Sequence, residues 1–369
     1  MKQTMSEPKL YDKAPGLETF QQGAIDLLKQ LIAIPSLSKQ EHDTASCIEQ
    51  FLQSKAINTH RKGNNVWACN QYFEPSKPTI LLNSHHDTVK PNAGYTKNPF
   101  EAIEEDGKLY GLGSNDAGGP LVSLMAAFLY FYHQPQLKYN FIYAATAEEE
   151  ISGLGGVASI LDVMGPIDVA IVGEPTQMEL AIAEKGLLVL DCVSKGVAGH
   201  AAHPNPENAI INALDDLQWF RNFCFPKVSK FLGEVKMSVT LIHAGNQHNV
   251  VPDSCSFTVD IRTTDDYSNQ EVLDVVRSHV QCEVTPRSML LNASAISEEH
   301  ALVQTGISLG RRVYGSPTSS DMAVMNFPAV KMGPGNSLRS HSSDEFIFIE
   351  EIKTGIEIYI QMLSKIALS

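Results

Sequence analysis

The stretch PTILLNSHHD, residues 78–87, begins as an apolar run and ends in two histidines and an aspartate. A short apolar run without polar alternation is typical of a strand that is buried on both faces of a sheet. Similar runs follow at 139–147 and 168–176, and an apolar helix is predicted at 118–134, between the first two runs. Strands that alternate with helices predict an α/β fold, with a mixed and mostly parallel sheet flanked by helices.

The hydrophobic period changes after Thr176, which indicates a second domain. Half-exposed strands and amphipathic helices then follow in the order β-α-β-β-α-β, at 185–196, 206–223, 235–245, 254–264, 268–280 and 282–291. This order is that of the ferredoxin-like unit. We therefore predict an α/β domain formed by 1–182 and 292–369, interrupted by an inserted α+β domain at 183–291.

Composition narrows the range of partners. The 369 residues include 28 basic and 42 acidic side chains, which give a net charge of −14. This charge argues against a nucleic-acid partner or an anionic membrane surface, since both attract basic proteins. No apolar run approaches the roughly 18–20 residues that span a bilayer, and residues 1–16 lack the apolar core of a signal peptide. Six scattered cysteines without a CxxC pair complete the prediction of a reduced, cytoplasmic protein.

Candidate metal ligands lie where the predicted strands end, which is where open α/β sheets place their sites. They are His85 and Asp87 in SHHD, Asp116 in GLGSND, Glu149 and Glu150 in AEEE, Glu174 in VGEP, and His341 in SHSSDE. Each has an ordinary structural explanation when taken alone, such as a helix cap or a solvated turn. Together, nitrogen and carboxylate ligands without thiolates favour zinc, cobalt or manganese. Five ligands exceed the needs of one catalytic zinc, so two metals that share a carboxylate fit better.

Two other classes of protein are alternatives to a metal enzyme. GLGSNDAGG at 111–119 suggests a dinucleotide-binding fingerprint, but Asp116 stands where the third glycine belongs. An acid at that position would repel a pyrophosphate, so a dehydrogenase is disfavoured. A non-catalytic binding or scaffolding protein on the same fold is the other alternative. The full set of candidate ligands argues against it, and metal analysis would discriminate between the two.

The ordered motifs SHHD, GLGSND, AEEE, VGEPT, GHAAHP and SHSSDE resemble the acetylornithine deacetylase, succinyl-diaminopimelate desuccinylase and carboxypeptidase G family of dinuclear zinc hydrolases. The resemblance runs through nearly the whole chain. It implies a zinc-exopeptidase-like catalytic domain, an inserted lid and dimerisation domain, and two divalent metal ions. Zinc is the expected metal, and cobalt or manganese would substitute for it. The sequence departs from the family pattern at Ser84, Leu112 and Glu148, which border the site and therefore leave the substrate open.

The resemblance also assigns metal ligands. It implies that His85 and Glu174 bind one metal, and that Glu150 and His341 bind the other. Asp116 would bridge the two metals.

Further roles follow from the same resemblance. Asp87 would orient the first histidine ligand from behind, and Glu149 would be the general base. His200 of GHAAHP would reach into the site of a partner subunit and stabilise the oxyanion. Asn249 and Arg262 would hold the substrate carboxylate, a task that suits the planar fork of arginine.

The predicted activity is removal of the acyl group from an Nα-acyl amino acid. The first candidate is N-acetylornithine, or N-acetylcitrulline or N-succinylornithine, in arginine biosynthesis. N-succinyl-diaminopimelate is the second candidate, and a dipeptide or an acylated amino acid in salvage is the third. The expected partners are this small substrate and a second copy of the chain, which would form a homodimer through the lid.

Overall fold

The computed structural model describes residues 16–204 and 207–368, and these residues form two compact units. Within the described residues, the first unit comprises 16–150, 173–178 and 333–368, and the second comprises 151–172, 179–204 and 207–332. The stretch 1–15, where we predict no export signal, lies outside the described residues. Within those residues, no helix is both long enough and apolar enough to cross a membrane.

Helices and strands both occur along the whole described chain. The helices are α1 (Leu17–Ile32), α2 (His42–Gln53), α3 (Gly119–Tyr132), α4 (Leu161–Met164), α5 (Ala209–Asn222), α6 (Asn269–His279), α7 (Ala301–Ser308) and α8 (Ile349–Ala367). The strands are β1 (His60–Lys62), β2 (Asn65–Cys69), β3 (Thr79–His85), β4 (Ile103–Glu105), β5 (Lys108–Tyr110), β6 (Asn140–Thr146), β7 (Val169–Val172), β8 (Leu180–Glu184), β9 (Gly186–Lys195), β10 (Gly199–His200), β11 (Lys236–Ala244), β12 (Val250–Val251), β13 (Ser254–Thr263), β14 (Glu283–Pro286), β15 (Ser294–Ala295), β16 (Val313–Ser316), β17 (Ala329–Lys331) and β18 (Phe346–Phe348).

In the first unit, strands β1, β2, β6 and β3 lie side by side in that order. β3 runs parallel to β6 with His85 opposite Thr146, whereas β2 runs antiparallel to β6. Every residue of β3 and β6 is buried, as expected for strands covered on both faces. The apolar helix α3 packs on both strands and also contacts α1 and α8. This buried frame brings the ends of β3 and β6 together.

The second unit contains two sheet regions. In one, β17 pairs with β7 in parallel and with β8 in antiparallel orientation, and β16 runs parallel to β8. In the other, four antiparallel strands lie in the order β11-β13-β9-β14. Helices α5 and α6 contact β9 of this sheet, and apolar side chains such as Leu190, Phe257 and Val272 form its core. α6 begins with a capping box between Ser268 and Glu271.

The predicted fold class is confirmed, since the chain forms a mixed sheet with parallel strands that is flanked by helices. The elements predicted for the inserted domain occur in the predicted order. Two predicted strands were too long, because the run at 168–176 ends as a strand at Val172 and the strand at 282–291 ends at Pro286. The boundaries of the inserted domain and its role as a lid remain predictions.

Candidate metal centre

His85 is the last residue of β3, and its imidazole is almost fully buried. Its Nδ1 atom lies 3.0 Å from the main-chain oxygen of Asp87, and the Asp87 carboxylate is farther away, at 3.4 Å. The main chain of Asp87 therefore contributes the closer contact that fixes this ring. With Nδ1 occupied, the Nε2 atom of His85 is left to face the carboxylates around it.

The carboxylate of Asp87 has another set of contacts. It accepts hydrogen bonds from the main-chain N–H groups of Glu149 and Glu150, at 3.0 and 3.2 Å, and from the Ser38 hydroxyl at 2.7 Å. Asp87 thus ties the turn that follows β6 to the end of β3. The Asp87 carboxylate thus holds the main chain of both glutamates in place.

Glu174 lies in the segment 173–178, which is hydrogen-bonded to β3. The Gly173 N–H donates to the Asn83 carbonyl at 2.7 Å, and the Ser84 hydroxyl donates to the Gly173 carbonyl at 2.8 Å. Ser84 is one of the departures from the family pattern. Its hydroxyl secures the segment that carries Glu174, so this departure is compatible with the predicted ligand.

Asp116 stands at the centre of the arrangement, in the turn Ser114–Gly118 before α3. Its Oδ1 atom lies 3.4 Å from His85 Nε2, and its Oδ2 atom lies 3.6 Å from His341 Nε2. Glu174 Oε1 approaches the first histidine to 3.6 Å, and Glu150 Oε2 approaches the second to 3.0 Å. The two oxygens of one carboxylate therefore face two separate histidine–glutamate pairs.

These side chains form two groups that share Asp116. In each group one ligand atom per residue lies within 4.8 Å of the others, and the groups are His85, Asp116 and Glu174, and Asp116, Glu150 and His341. The Nε2 atom of His85 is buried without a hydrogen-bond partner, which is unfavourable unless another atom binds it. The donor set of imidazole nitrogens and carboxylate oxygens suits zinc. The residues therefore fit two divalent metal ions.

The electrostatics of the groups also favour cations. Burial acts to lower the pKa of His85, but Glu149, Asp116 and Asp87 outweigh it and hold the pKa well above its usual value. The hydrogen bond with Glu150 raises the pKa of His341 to about 9. Each histidine thus lies in a strongly negative environment that stabilises positive charge.

Glu149 belongs to neither group, although it is adjacent to one of their members. Its Oε2 atom lies 3.8 Å from His85 Nε2, and its side chain is 15% exposed. A carboxylate that is close to the groups without being part of them is placed to transfer protons. The role of Glu149 as general base stays a prediction.

Sequence reasoning missed Glu345, which also belongs to the first unit. Its carboxylate is buried and accepts hydrogen bonds from the N–H groups of Gly113, Asn115 and Asp116. Burial, followed by the negative charge of Asp116, raises the pKa of Glu345 to about 8. The motif SHSSDE contains this residue, but only the fold reveals which main-chain groups it contacts.

The other predicted site residues lie in the second unit. His200 belongs to β10 and is exposed, and the next residue, Ala201, donates its N–H to the carbonyl of the exposed Asn249. Arg262 lies on β13 and forms a two-pronged ion pair with Asp260, at 2.8 and 3.1 Å. The structure thus brings His200 close to Asn249 and gives Arg262 a carboxylate partner within its own strand.

The sequence matches a known protein family over most of its length. The family described as Peptidase family M20/M25/M40 matches residues 81–365. A succinyl-diaminopimelate desuccinylase of Rickettsia bellii is 27% identical, over 91% of this chain and 95% of the relative. Succinyl-diaminopimelate desuccinylase 2 of a Ruegeria species is 25% identical, over 92% of this chain and 94% of the relative.

Solved structures share the fold. The aminopeptidase PepT of Bacillus cereus has a TM-score of 0.74 at 16% identity, over 94% of this chain and 98% of that one. The Bacillus subtilis YXEP protein, described as a dinuclear metal binding peptidase, has a TM-score of 0.72 at 18% identity, over 95% and 98%.

Proposed function

This chain belongs to peptidase family M20/M25/M40, and we propose that it is a two-metal hydrolase of the amide bond in a small N-acylated amino acid. The observation that carries this proposal is the carboxylate of Asp116, whose two oxygens face two separate histidines. Two ions of one charge can lie close together when an anionic ligand is shared between them. A scaffolding protein would have no need of this arrangement.

His85, Asp116 and Glu174 would hold one ion, and Glu150 and His341 would complete the site of the other. When bound, two zinc ions would polarise the amide carbonyl and lower the pKa of the attacking water. Cobalt and manganese accept the same ligands and are the alternatives to zinc.

The protein's own groups would then move protons and stabilise charge. Glu149 would take a proton from the attacking water and deliver it to the leaving amine. Asp87 would keep this glutamate in place through its bond to the Glu149 N–H. His200 would stabilise the oxyanion, and Arg262, with Asn249, would bind the substrate carboxylate.

For the substrate, we place N-succinyl-diaminopimelate first. Curated relatives that match more than nine-tenths of the chain bear the name succinyl-diaminopimelate desuccinylase. Their names favour the candidate that the sequence alone placed second, ahead of N-acetylornithine and its role in arginine biosynthesis. Both candidates are Nα-acyl amino acids, so the proposed chemistry is the same for each.

The test is amine release from a matched panel after chelation and restoration of zinc or cobalt. The panel contains N-succinyl-diaminopimelate, N-acetylornithine, N-succinylornithine, N-acetylcitrulline and a dipeptide. We expect metal-dependent cleavage, fastest for the first compound. Faster cleavage of N-acetylornithine would identify a deacetylase, and cleavage of the dipeptide alone would identify a peptidase. If every compound remains intact with both metals bound, the proposed substrate class is wrong.

We also propose a homodimer, formed through the four-stranded sheet of the second unit. β11 lies at the edge of this sheet, and it exposes Val239, Leu241 and Ile242. Helix α5, which contacts β11, exposes Ile210, Ile211 and Leu214. An exposed edge strand beside an apolar helix face favours pairing with a second copy. Cytoplasmic location remains the expectation from composition.

Replacing Leu241 with Lys tests the dimer. A charge on the edge strand opposes pairing, so we expect sedimentation analysis to show monomers. Val228→Lys is the matched control, because Val228 is about equally exposed in the same unit, 57% against 51%, and lies outside β11 and α5. A Leu241→Lys protein that stays dimeric would contradict this interface.

A further inference from the structure

Glu345 is a buried carboxylate for which the proposed reaction has no direct use. It lies in the first unit, directly before β18, and its side chain is 1% exposed. Oε1 accepts the N–H groups of Asn115 at 2.8 Å and Asp116 at 2.9 Å, and Oε2 accepts that of Gly113 at 3.2 Å. Three main-chain donors therefore converge on this one side chain.

These donors belong to the turn that carries the shared ligand. Gly113, Asn115 and Asp116 lie in or next to the turn Ser114–Gly118, directly before α3, and buried main-chain N–H groups need an acceptor. Gly113 adopts φ 75°, a left-handed conformation that favours glycine and turns the chain sharply. A side chain that accepts three main-chain N–H groups holds such a turn in place, because buried N–H groups need an acceptor.

The loop that contains Glu345 also contains a proposed metal ligand, His341. His341 lies four residues before Glu345, and Asn115 donates from its side chain to the Asn336 carbonyl at 3.2 Å. The Asn336 N–H donates back to the Asn115 side chain at 3.0 Å. The loop that supplies His341 and the turn that supplies Asp116 are therefore joined at two points, through Glu345 and through Asn115.

Building on the proposed two-metal function, we propose that Glu345 is a positioning residue that sets the orientation of Asp116 between the two metal positions. It acts through the Asp116 N–H and touches neither ion. Because Asp116 is the one residue common to both groups, a change at Glu345 should weaken binding of both ions together. Loss of an outer partner of a metal ligand typically lowers metal affinity about 10- to 100-fold.

Two substitutions of Glu345 should lower zinc affinity to different extents. Glu345→Gln retains an oxygen for the Asn115 and Asp116 N–H groups, but its amide NH₂ would face the Gly113 N–H, which is also a donor. Glu345→Ala removes every acceptor. We expect zinc affinity to fall in the order wild type, Glu345→Gln, Glu345→Ala.

Asp216→Asn is the matched control. Asp216 is also a buried carboxylate, 2% exposed, and it accepts the N–H groups of Gln281 and Cys282 at 2.9 and 3.0 Å. It lies in the second unit, away in sequence from every proposed ligand. Its loss should lower stability without changing zinc affinity.

The experiment measures zinc stoichiometry and affinity of the full chain by competition with a chromophoric chelator. Circular dichroism verifies folding, and thermal unfolding of the metal-free proteins reports stability. We expect two zinc ions in the wild type and an affinity about tenfold or more weaker in Glu345→Gln. Failure of the wild type to bind two ions would overturn the proposed function itself. Two ions in the wild type with unchanged affinity in folded Glu345→Gln, or an equal loss in Asp216→Asn, would overturn the role of Glu345 alone.

Discussion

The first unit and the four-stranded sheet of the second unit hold their predicted functional residues in different ways. In the first unit, five side chains from distant parts of the chain converge within 4.8 Å in two groups, and four of the five are buried or half-buried. In the second unit, His200 and Asn249 are exposed, and Arg262 is engaged by Asp260. The fold of the first unit alone brings its five residues together. In the second unit, two of the residues are exposed to solvent and the third is bound to a neighbouring carboxylate.

The difference lies in what satisfies each polar group. Asp87 is held by main-chain N–H groups and the Ser38 hydroxyl, so its geometry is fixed before any ligand arrives. Arg262 is paired with Asp260, and under the proposed function a substrate carboxylate would replace or join this partner. We therefore expect metal removal and substitutions to have different effects on the residues of the two units.

Removing the metals should have the largest effect. Chelation should abolish turnover, and readdition of zinc should restore it. Since the ions bind only the folded first unit, a thousandfold excess over Kd would stabilise it by about 4 kcal/mol. Hydrogen exchange should show added protection at 113–118, 147–150 and 336–345 when zinc binds. If zinc protected residues 186–286 to the same extent, the proposed difference between the two units would be wrong, because those residues lie in the second unit.

Replacing Glu149 with Ala should come next. Loss of a general base lowers turnover by about 10²–10⁴-fold, and both metals should remain bound, because Glu149 lies in neither group. Steady-state kinetics and metal content measure the two effects. Glu150→Ala is the contrasting variant, since it should lose metal as well as turnover. Substantial turnover in a metal-loaded Glu149→Ala protein would exclude Glu149 as the base.

Replacing His200 with Ala tests a residue of the second unit. Loss of one oxyanion donor lowers turnover by about 10²–10³-fold, with metal content unchanged. If His200 acts across a dimer, mixing this variant with Glu149→Ala subunits should recover about one quarter of wild-type turnover, because half of the dimers would each contain one intact site. No recovery after mass spectrometry confirms subunit exchange would argue that His200 does not act in the partner's site.

Replacing Arg262 with Lys should have the smallest effect. Lysine keeps the charge but cannot form the two-pronged contact, and the loss of one charged hydrogen bond corresponds to about tenfold in KM. Asp260→Asn is the companion variant, and it should lower KM by releasing Arg262 from its present partner. An unchanged KM in Arg262→Lys would remove this residue from substrate binding.

Much of the fold could be predicted, because buried strands leave a simple pattern. β3 and β6 read as apolar runs, and β6 begins and ends one residue inside the predicted run at 139–147. β8, with the sequence LAIAE, was not recognised, because it follows β7 closely without a helix between them. Its place in the sheet depends on β16 and β17, which come from more than 120 residues later in the chain.

The site was predictable where side chains act directly and unpredictable where they act through the main chain. The histidines and acids of the two groups stand out as ligand types at strand ends. Glu345 does not, because its partners are N–H groups about 230 residues earlier. For Asp87, the sequence suggested a link to His85, and the structure adds the bonds of its carboxylate to the Glu149–Glu150 turn.

The spread of the metal ligands along the chain has a consequence for biosynthesis. His341 contacts Glu150 across a separation of 191 residues, and the whole second unit except Ile151–Val172 is encoded between Glu179 and Met332. A ribosome therefore completes that second unit before it has made His341, the last of the proposed ligands. Throughout that interval the group of Asp116, Glu150 and His341 lacks its histidine. Two ions could therefore bind together only once translation is nearly over.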